Sequence, residues 1–442
     1  MRNTDEILAE FPEPARQVLS QAWGKVSPAQ RDELASWLPL MPDSAKPMKD
    51  ILSFVLDSWT PVVETKDRIA IVGPANVGKS TLFNQLVHER EDHAEVSPVP
   101  GTTRENQEAD AGLFRVIDTP GADAAGAVGQ RERDLAFEAA KDADFLVIVF
   151  EATRGIGRHD KDLFDDLALL GKPFIVLMNK IDLVRRADRD KVLEGAATVL
   201  GLERSQILDT VATDGTNVGR VILGIAKAEP RLLAAIGAAM PEYRARLAWQ
   251  RIVPAAGAAA AVGLIPLPFA DVIPLLGIQA GLTLSIARIY GYEITFGRAK
   301  ELVATFGIGF AARTVFHEVV KFGGLPGWLL SATIAASTTV TIGYASMVWF
   351  AEQERVSPQV LKKVMRDLSS YLGEQVKDLG RRRPDEGTLV QRITQALREL
   401  PEQLRPEVVR QESDGASVAL GGPGEAAAAQ ATDEGLTGES GG

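Results

Sequence analysis

The rhythm of hydrophobic positions changes three times along the 442-residue chain. In the first 60 residues they recur at helical spacing, as in Ile7, Leu8 and Phe11, or Ile51, Leu52, Val55, Leu56 and Trp59. Pro12, Pro14, Pro28, Pro39 and Pro42 cut this pattern into short pieces. Residues 1–60 are therefore expected to form a helical extension. From 66 to 230, short unbroken apolar runs alternate with helical stretches. The runs at 68–72, 114–118, 145–150 and 174–178 are rich in Val, Ile and Phe. Such runs predict strands buried on both faces of a mostly parallel sheet, a doubly wound α/β layout. In that layout ligands sit at the carboxyl ends of the strands. The domain is expected to occupy 61–230.

Beyond residue 241 the pattern turns apolar and charges become sparse. Uncharged stretches cover 252–270, 272–287 and 322–351. The last is long enough to span a bilayer, which takes about 20 residues. Trp328 and Trp349 would lie about 32 Å apart on a straight helix, near the hydrocarbon thickness. The first two stretches, broken by Pro266, Pro268, Asp271 and Pro274, suggest a closely spaced hairpin. Against insertion stand Asp271, Arg288 and Arg313, because charges are expensive in lipid. Two readings stay open for 252–351: a membrane-associated segment, or a soluble bundle of very apolar helices. Residues 352–408 return to a charged helical pattern, completing an all-α domain over 241–408. The end, 411–442, has six acids and no base, without periodicity, and is expected to be a disordered acidic tail.

Composition narrows the chemistry. The chain has no Cys, which removes disulfides, thiolate nucleophiles and Cys-ligated metal centres. Four scattered His make a His-built metal site a poor fit. A net charge of −11 disfavours broad nucleic-acid coating. The start, MRNTDEILAE, lacks the basic-then-apolar pattern of a signal peptide, so an intracellular location is expected, either soluble in the cytoplasm or on the cytoplasmic side of a membrane.

Four motifs then fall in order on strand ends and loops. Directly after the first apolar run comes Gly73-Pro-Ala-Asn76-Val77-Gly78-Lys79-Ser80-Thr81, which fits G-x-x-x-x-G-K-[ST]. A glycine-rich turn lets backbone N–H groups face phosphate oxygens, with the following helix presenting its positive end. Lys79 would bridge the β- and γ-phosphates, and the Ser80 hydroxyl would hold Mg²⁺. Asp118-Thr-Pro-Gly121 ends the second run; the Asp can reach the metal shell and the Gly121 amide the γ-phosphate. Between them, Thr103 in Pro100-Gly-Thr-Thr-Arg can reach Mg²⁺ while the γ-phosphate is present, as an order–disorder switch requires. Last, Asn179-Lys180-Ile-Asp182 follows the fourth run. Its Asp182 carboxylate can accept two hydrogen bonds from guanine, which adenine cannot offer. The fold expected is α/β, a P-loop NTPase G domain flanked by an N-terminal helical segment and a C-terminal all-α apolar domain.

With those motifs, residues 66–230 resemble the Era-like branch of the bacterial translation-factor-related GTPases. The resemblance implies a GTPase that binds GTP and GDP, with Lys79 and Ser80 on phosphate and Mg²⁺, Thr103 and Asp118 on the metal and γ-phosphate, and Asn179, Lys180 and Asp182 on the base. The family's fifth motif, Ser-Ala-x-x-Gly-x-Asn, appears as Val211-Ala212-Thr-Asp-Gly215-Thr-Asn217, where the Ala212 amide can still serve guanine O6. No water-positioning Gln follows Asp118: Ala122 comes after Gly121, so intrinsic turnover should be slow. In some relatives an Asn in the phosphate loop binds K⁺, and Asn76 holds that position, although the proline preceding it is displaced by Ala75. K⁺ stimulation through Asn76 and a turn-forming role for it stay open. Glu132 or Asp134 could act on water, or simply line a solvated helix face. G-domain pairing into a homodimer is implied by resemblance alone.

The apolar half also resembles a domain of unknown function that follows Era-like GTPase domains. Ile265-Pro-Leu-Pro268, Ala270-Asp271, Gln279 and Ile286-Ala-Arg-Ile-Tyr-Gly291 carry the likeness. The leading expectation is a nucleotide-dependent switch at a membrane. The alternative is a soluble GTPase of RNA or ribosome assembly. The short basic cluster 381–383 and the apolar 241–351 region suit RNA poorly.

Overall fold

The structure, a computed structural model, describes residues 68–86, 113–118, 137, 140–264, 272–306, 326–381 and 386–405. The expected helical extension at 1–60 and the acidic tail at 411–442 lie outside the described residues. So do the segments carrying Thr103, Gly121, Ala122, Glu132 and Asp134. The chain divides into two compact units, with the boundary between Glu229 and Pro230.

The first unit is built on five strands: β1 (Ile69–Gly73), β2 (Phe114–Asp118), β3 (Phe145–Glu151), β4 (Phe174–Asn179) and β5 (Ile207–Thr210). Their order is β2-β1-β3-β4-β5, and every pairing is parallel. The mostly parallel sheet expected from the sequence is therefore observed. Its central strands β1 and β3 are buried along their apolar length, because helices cover both faces. On one face, Ala70, Val72, Leu146, Ile148, Phe150, Val176, Met178 and Ile207 pack with α2 (Arg158–Ala168) and α3 (Arg189–Leu200) through Phe164, Leu167, Leu193, Ala196 and Leu200. On the other lie α1 (Lys79–Leu86) and α4 (Val218–Ala228), the latter bringing Gly224 against Ile175 and Leu208. This alternation is the period-2 pleat of a two-faced sheet.

β5 was not among the runs that pattern alone marks as strands. It contributes two apolar residues, Ile207 and Leu208, before Asp209. Thr210 is buried there because its hydroxyl donates to the Thr216 carbonyl (3.0 Å). Side-chain chemistry, not hydrophobicity, carries the end of that strand.

The second unit is helical: α5 (Leu233–Ala239), α6 (Arg244–Gly263), α7 (Val272–Ile289), α8 (Phe296–Thr305), α9 (Gly327–Glu352), α10 (Pro358–Val376) and α11 (Glu386–Arg398). The uncharged runs do not mark helix bounds. α6 begins at Arg244, and its Arg251 is buried. α9 meets the length and composition test for crossing a membrane, yet 83% of its apolar window is buried inside the protein. It packs against α6, α7 and α10, and α10 packs against α11. A helix apolar all round belongs inside such an assembly.

The hydroxyls of α9 explain how so polar a composition sits in a core. Thr333, Ser337, Thr339, Thr341 and Ser346 each donate to the carbonyl four residues earlier, at 2.7–2.9 Å. Two also meet α7: Gln279 Nε2 donates to Thr339 Oγ1 (3.4 Å), and Thr283 lies 3.0 Å from Ser346. Burial then leaves these groups satisfied. α10 is amphipathic, burying Leu361, Met365, Leu368, Leu372 and Val376 and exposing Lys363 and Arg366. Its start is capped by Ser357, whose hydroxyl accepts from the Val360 N–H.

The run of Ala and Gly in α6 allows close backbone approach. A Cβ at Gly263 would lie 2.9 Å from both Ala332 Cα and the Ser331 carbonyl oxygen. Both are backbone atoms of α9, which cannot swing aside. Gly263→Ala is expected to destabilise this unit by about 1–3 kcal/mol, despite the better helix propensity of alanine. Denaturant unfolding followed by tryptophan fluorescence checks this, since all six tryptophans lie outside 66–229.

Candidate functional site

At the carboxyl edge of the sheet, β1 ends in a tight loop that turns directly into α1. Gly73 is held by space: a Cβ there would sit 2.2 Å from the Val149 carbonyl oxygen on β3. Gly78 is held by backbone and space together. Its φ is +96°, and a Cβ would lie 2.3 Å from Asn179 Nδ2. Asn76 turns the loop with φ +64° and is exposed. Gly78, Ser80 and Thr81 are half-buried, while Val77 and Lys79 are buried.

Lys79 opens α1 at 4% exposure, and its ammonium donates to the carbonyls of Gly73 and Pro74, both at 2.7 Å. A buried ammonium needs such partners. The loop therefore closes around the cation that phosphate would share. Asp118 ends β2 in register with Gly73, so strand pairing alone brings its backbone beside the loop.

Asn179 ends β4 and is 2% exposed. Its Nδ2 donates to the Val77 carbonyl (2.7 Å), and its Oδ1 accepts from the Ala212 N–H (3.0 Å). One side chain thus joins the phosphate loop to the loop after β5. The Ala212 amide, expected to face guanine O6, is directed here to Asn179. Lys180 follows in the left-handed conformation, φ +61°, and its ammonium donates to the Asn76 carbonyl (2.7 Å). Asp182 lies exposed in the short turn Ile181–Leu183.

The loop after β5 closes without the serine of the fifth motif. Val211 is buried and its N–H donates to the Thr216 carbonyl (3.1 Å), while the Asp214 carboxylate accepts from the Thr216 N–H (2.8 Å). Asn217, φ +65°, donates to Asp209 (2.9 Å), which also pairs with Arg220 (3.3 Å).

Sequence reasoning missed Glu151, the last residue of β3. It pairs with Lys180 (2.9 Å), accepts from the Thr153 hydroxyl, and stands in register with Asn179. Burial pushes its carboxyl up, but hydrogen bonds from Thr153 and Lys180, with the charges of Lys180 and Arg154, outweigh that and hold its pKa below the ordinary value. A polar residue closing an otherwise apolar strand was the signal available. The expected contributions of Thr103, Gly121 and Glu132 fall outside the described residues.

Comparison with known proteins accords with this geometry. Residues 68–180 match the family described as 50S ribosome-binding GTPase, and residues 242–374 match a domain of unknown function, DUF697. Among curated relatives, GTPase Der of Thermotoga sp. (strain RQ2) is 30% identical over 233 residues, covering 50% of this chain and 52% of the relative. GTPase Der of Pseudothermotoga lettingae is 35% identical over 136 residues, covering 29% and 31%. The chain thus spans about half or less of these relatives' length. An Era structure from Aquifex aeolicus bound to GDP·AlF4− is 24% identical, with TM-score 0.31, covering 46% of this chain and 69% of that one.

Replacing Asn179 by Ala would leave the buried Val77 carbonyl and Ala212 amide unpaired. The expected loss is about 1–3 kcal/mol of stability in this unit. Hydrogen exchange at β4 and β5 would register it as faster opening.

Proposed function

Starting from a G domain of the Der and Era kind joined to a DUF697 domain, we propose that this chain is a Mg²⁺-dependent GTP-binding switch and slow GTPase. The observation that carries the reading is the Asn179 amide, which ties the phosphate loop to the base-side loop with Asp182 three residues on. Lys79, whose ammonium donates to the Gly73 and Pro74 carbonyls, is the cation offered to β- and γ-phosphate oxygens. The backbone N–H groups from Asn76 to Thr81 and the positive end of α1 add to phosphate binding. Asp182 takes the two guanine donors, and Ala122 leaves hydrolytic water without an orienting side chain.

The metal site fits its expected ion in donor chemistry. Ser80, Asp118 and Thr103 are hard oxygen donors, and the register of β1 with β2 sets Asp118 beside the loop that leads to Ser80. When bound, Mg²⁺ neutralises charge on the phosphates.

Nucleotide-dependent change around Thr103 and Gly121 would pass to the helices beyond residue 230 and to a protein partner there. The burial of α9 and the charged outer face of α10 favour a protein-facing bundle. The second reading sets the switch on the cytoplasmic side of a membrane. It is favoured by α9, a 26-residue apolar helix with Trp328 and Trp349 near its ends. The description of the matched family favours a ribosomal partner for either.

Single-turnover assays test the chemistry. Wild type is expected to hydrolyse GTP slowly and ATP not at all, faster in K⁺ than Na⁺ if Asn76 holds that ion. Asp182→Asn should shift preference from GTP to XTP by at least about tenfold, because the amide presents a donor where guanine needs an acceptor. Unchanged base preference would remove the guanine reading. Carbonate extraction of membranes from cells expressing the full chain decides location: release to the supernatant is expected for a protein-facing bundle, and retention in the pellet for insertion.

A further inference from the structure

Two consecutive carbonyls of the phosphate loop are held by two consecutive residues of the base-side turn. Asn179 takes Val77 and Lys180 takes Asn76. The two grips differ in kind. Asn179 is short and 2% exposed, so packing fixes it. Lys180 is long, its side chain 32% exposed, and a free lysine of that sort samples many rotamers. Something else must hold its ammonium on the Asn76 carbonyl.

Glu151 does so. Its carboxylate lies 2.9 Å from Lys180 Nζ, at 17% side-chain exposure, and is steadied on its far side by the Thr153 hydroxyl. Its backbone is fixed as well, since β3 and β4 are in parallel register through Glu151 and Asn179. Two of the three ammonium protons of Lys180 thus point at defined acceptors, one in the loop and one on the sheet. Both Asn76 and Lys180 have left-handed backbones, φ +64° and +61°, which this link helps to maintain.

We propose that Glu151 is a positioning residue for nucleotide retention, acting through Lys180 to latch the phosphate loop to the base-reading turn. The inference rests on the nucleotide reading above. The link joins the phosphate loop to the base-side turn, so the loop must break it to open. The effect belongs in the release rate more than in capture.

The test is stopped-flow release of mant-GDP from the full chain. Glu151→Gln keeps the shape and removes the charge, and release should quicken on the order of fivefold, as a partly exposed ion pair allows. Glu151→Asp should recover part of the loss. Thr153→Val, at an exposed position, should give a smaller acceleration in the same direction and serves if Glu151→Gln folds poorly by circular dichroism. The discriminating arm is the Lys180→Met background, where Glu151→Gln should add nothing. Equal acceleration in both backgrounds would mean a general structural role and overturn the proposal. So would an unchanged release rate in every single variant at Glu151 and Thr153. Wild type that holds mant-GDP no better than mant-ADP would instead sink the nucleotide reading itself, an outcome separable from the other two.

Discussion

A single buried amide holds the nucleotide edge together. Asn179 offers a donor and an acceptor, and both are used at once, on the Val77 carbonyl and the Ala212 amide. Val77, 102 residues before it, and Ala212, 33 residues after it, both depend on it. The bridge imposes its own requirement on Gly78, since any side chain there would displace the amide. It also needs β4 to end level with β5, which the pairing of Asn179 with Thr210 provides. Parallel register thereby becomes site geometry: the strands deliver Asp118, Glu151, Asn179 and Thr210 to one edge, and loop chemistry does the rest.

The helical unit solves a different problem. Where α6 and α9 meet through Ala, Gly and Ser there is little side-chain bulk, so the helices approach closely, as at Gly263 and Ala332. Five of the α9 hydroxyls return their protons to their own helix, and Thr338 donates to Met365 Sδ on α10. Small residues and internally satisfied hydroxyls are equally at home between packed helices in water and in lipid. That is why composition left both settings open for this region.

Much of the first unit was legible because its signals are local. The runs that became β1 to β4 are unbroken and apolar, and the phosphate loop and the Asn179–Asp182 turn are contiguous motifs. What escaped was tertiary in origin. β5 has two apolar residues, and Thr210 is buried by a hydroxyl bond to a residue six positions away. Glu151 gains its meaning from Lys180, 29 residues on, and no local pattern announces that pairing. The fifth motif lacks its serine, and the Asp214, Thr216 and Asn217 contacts that close this loop are not announced by the motif itself. In the helical unit, α6 starts eight residues before the uncharged run at 252, at Arg244, and its Arg251 is buried once the helix packs.

The order of strands has a consequence during synthesis. β1 leaves the ribosome first, but its sheet partners β2 and β3 begin at residues 114 and 145. At roughly 5–20 residues per second, β1 waits about 4–15 s before β3 emerges. For that interval a strand of Ile69, Ala70, Ile71 and Val72, destined for complete burial, has at most β2 to pair with. Folding yield then depends on what shields those residues until the sheet can close.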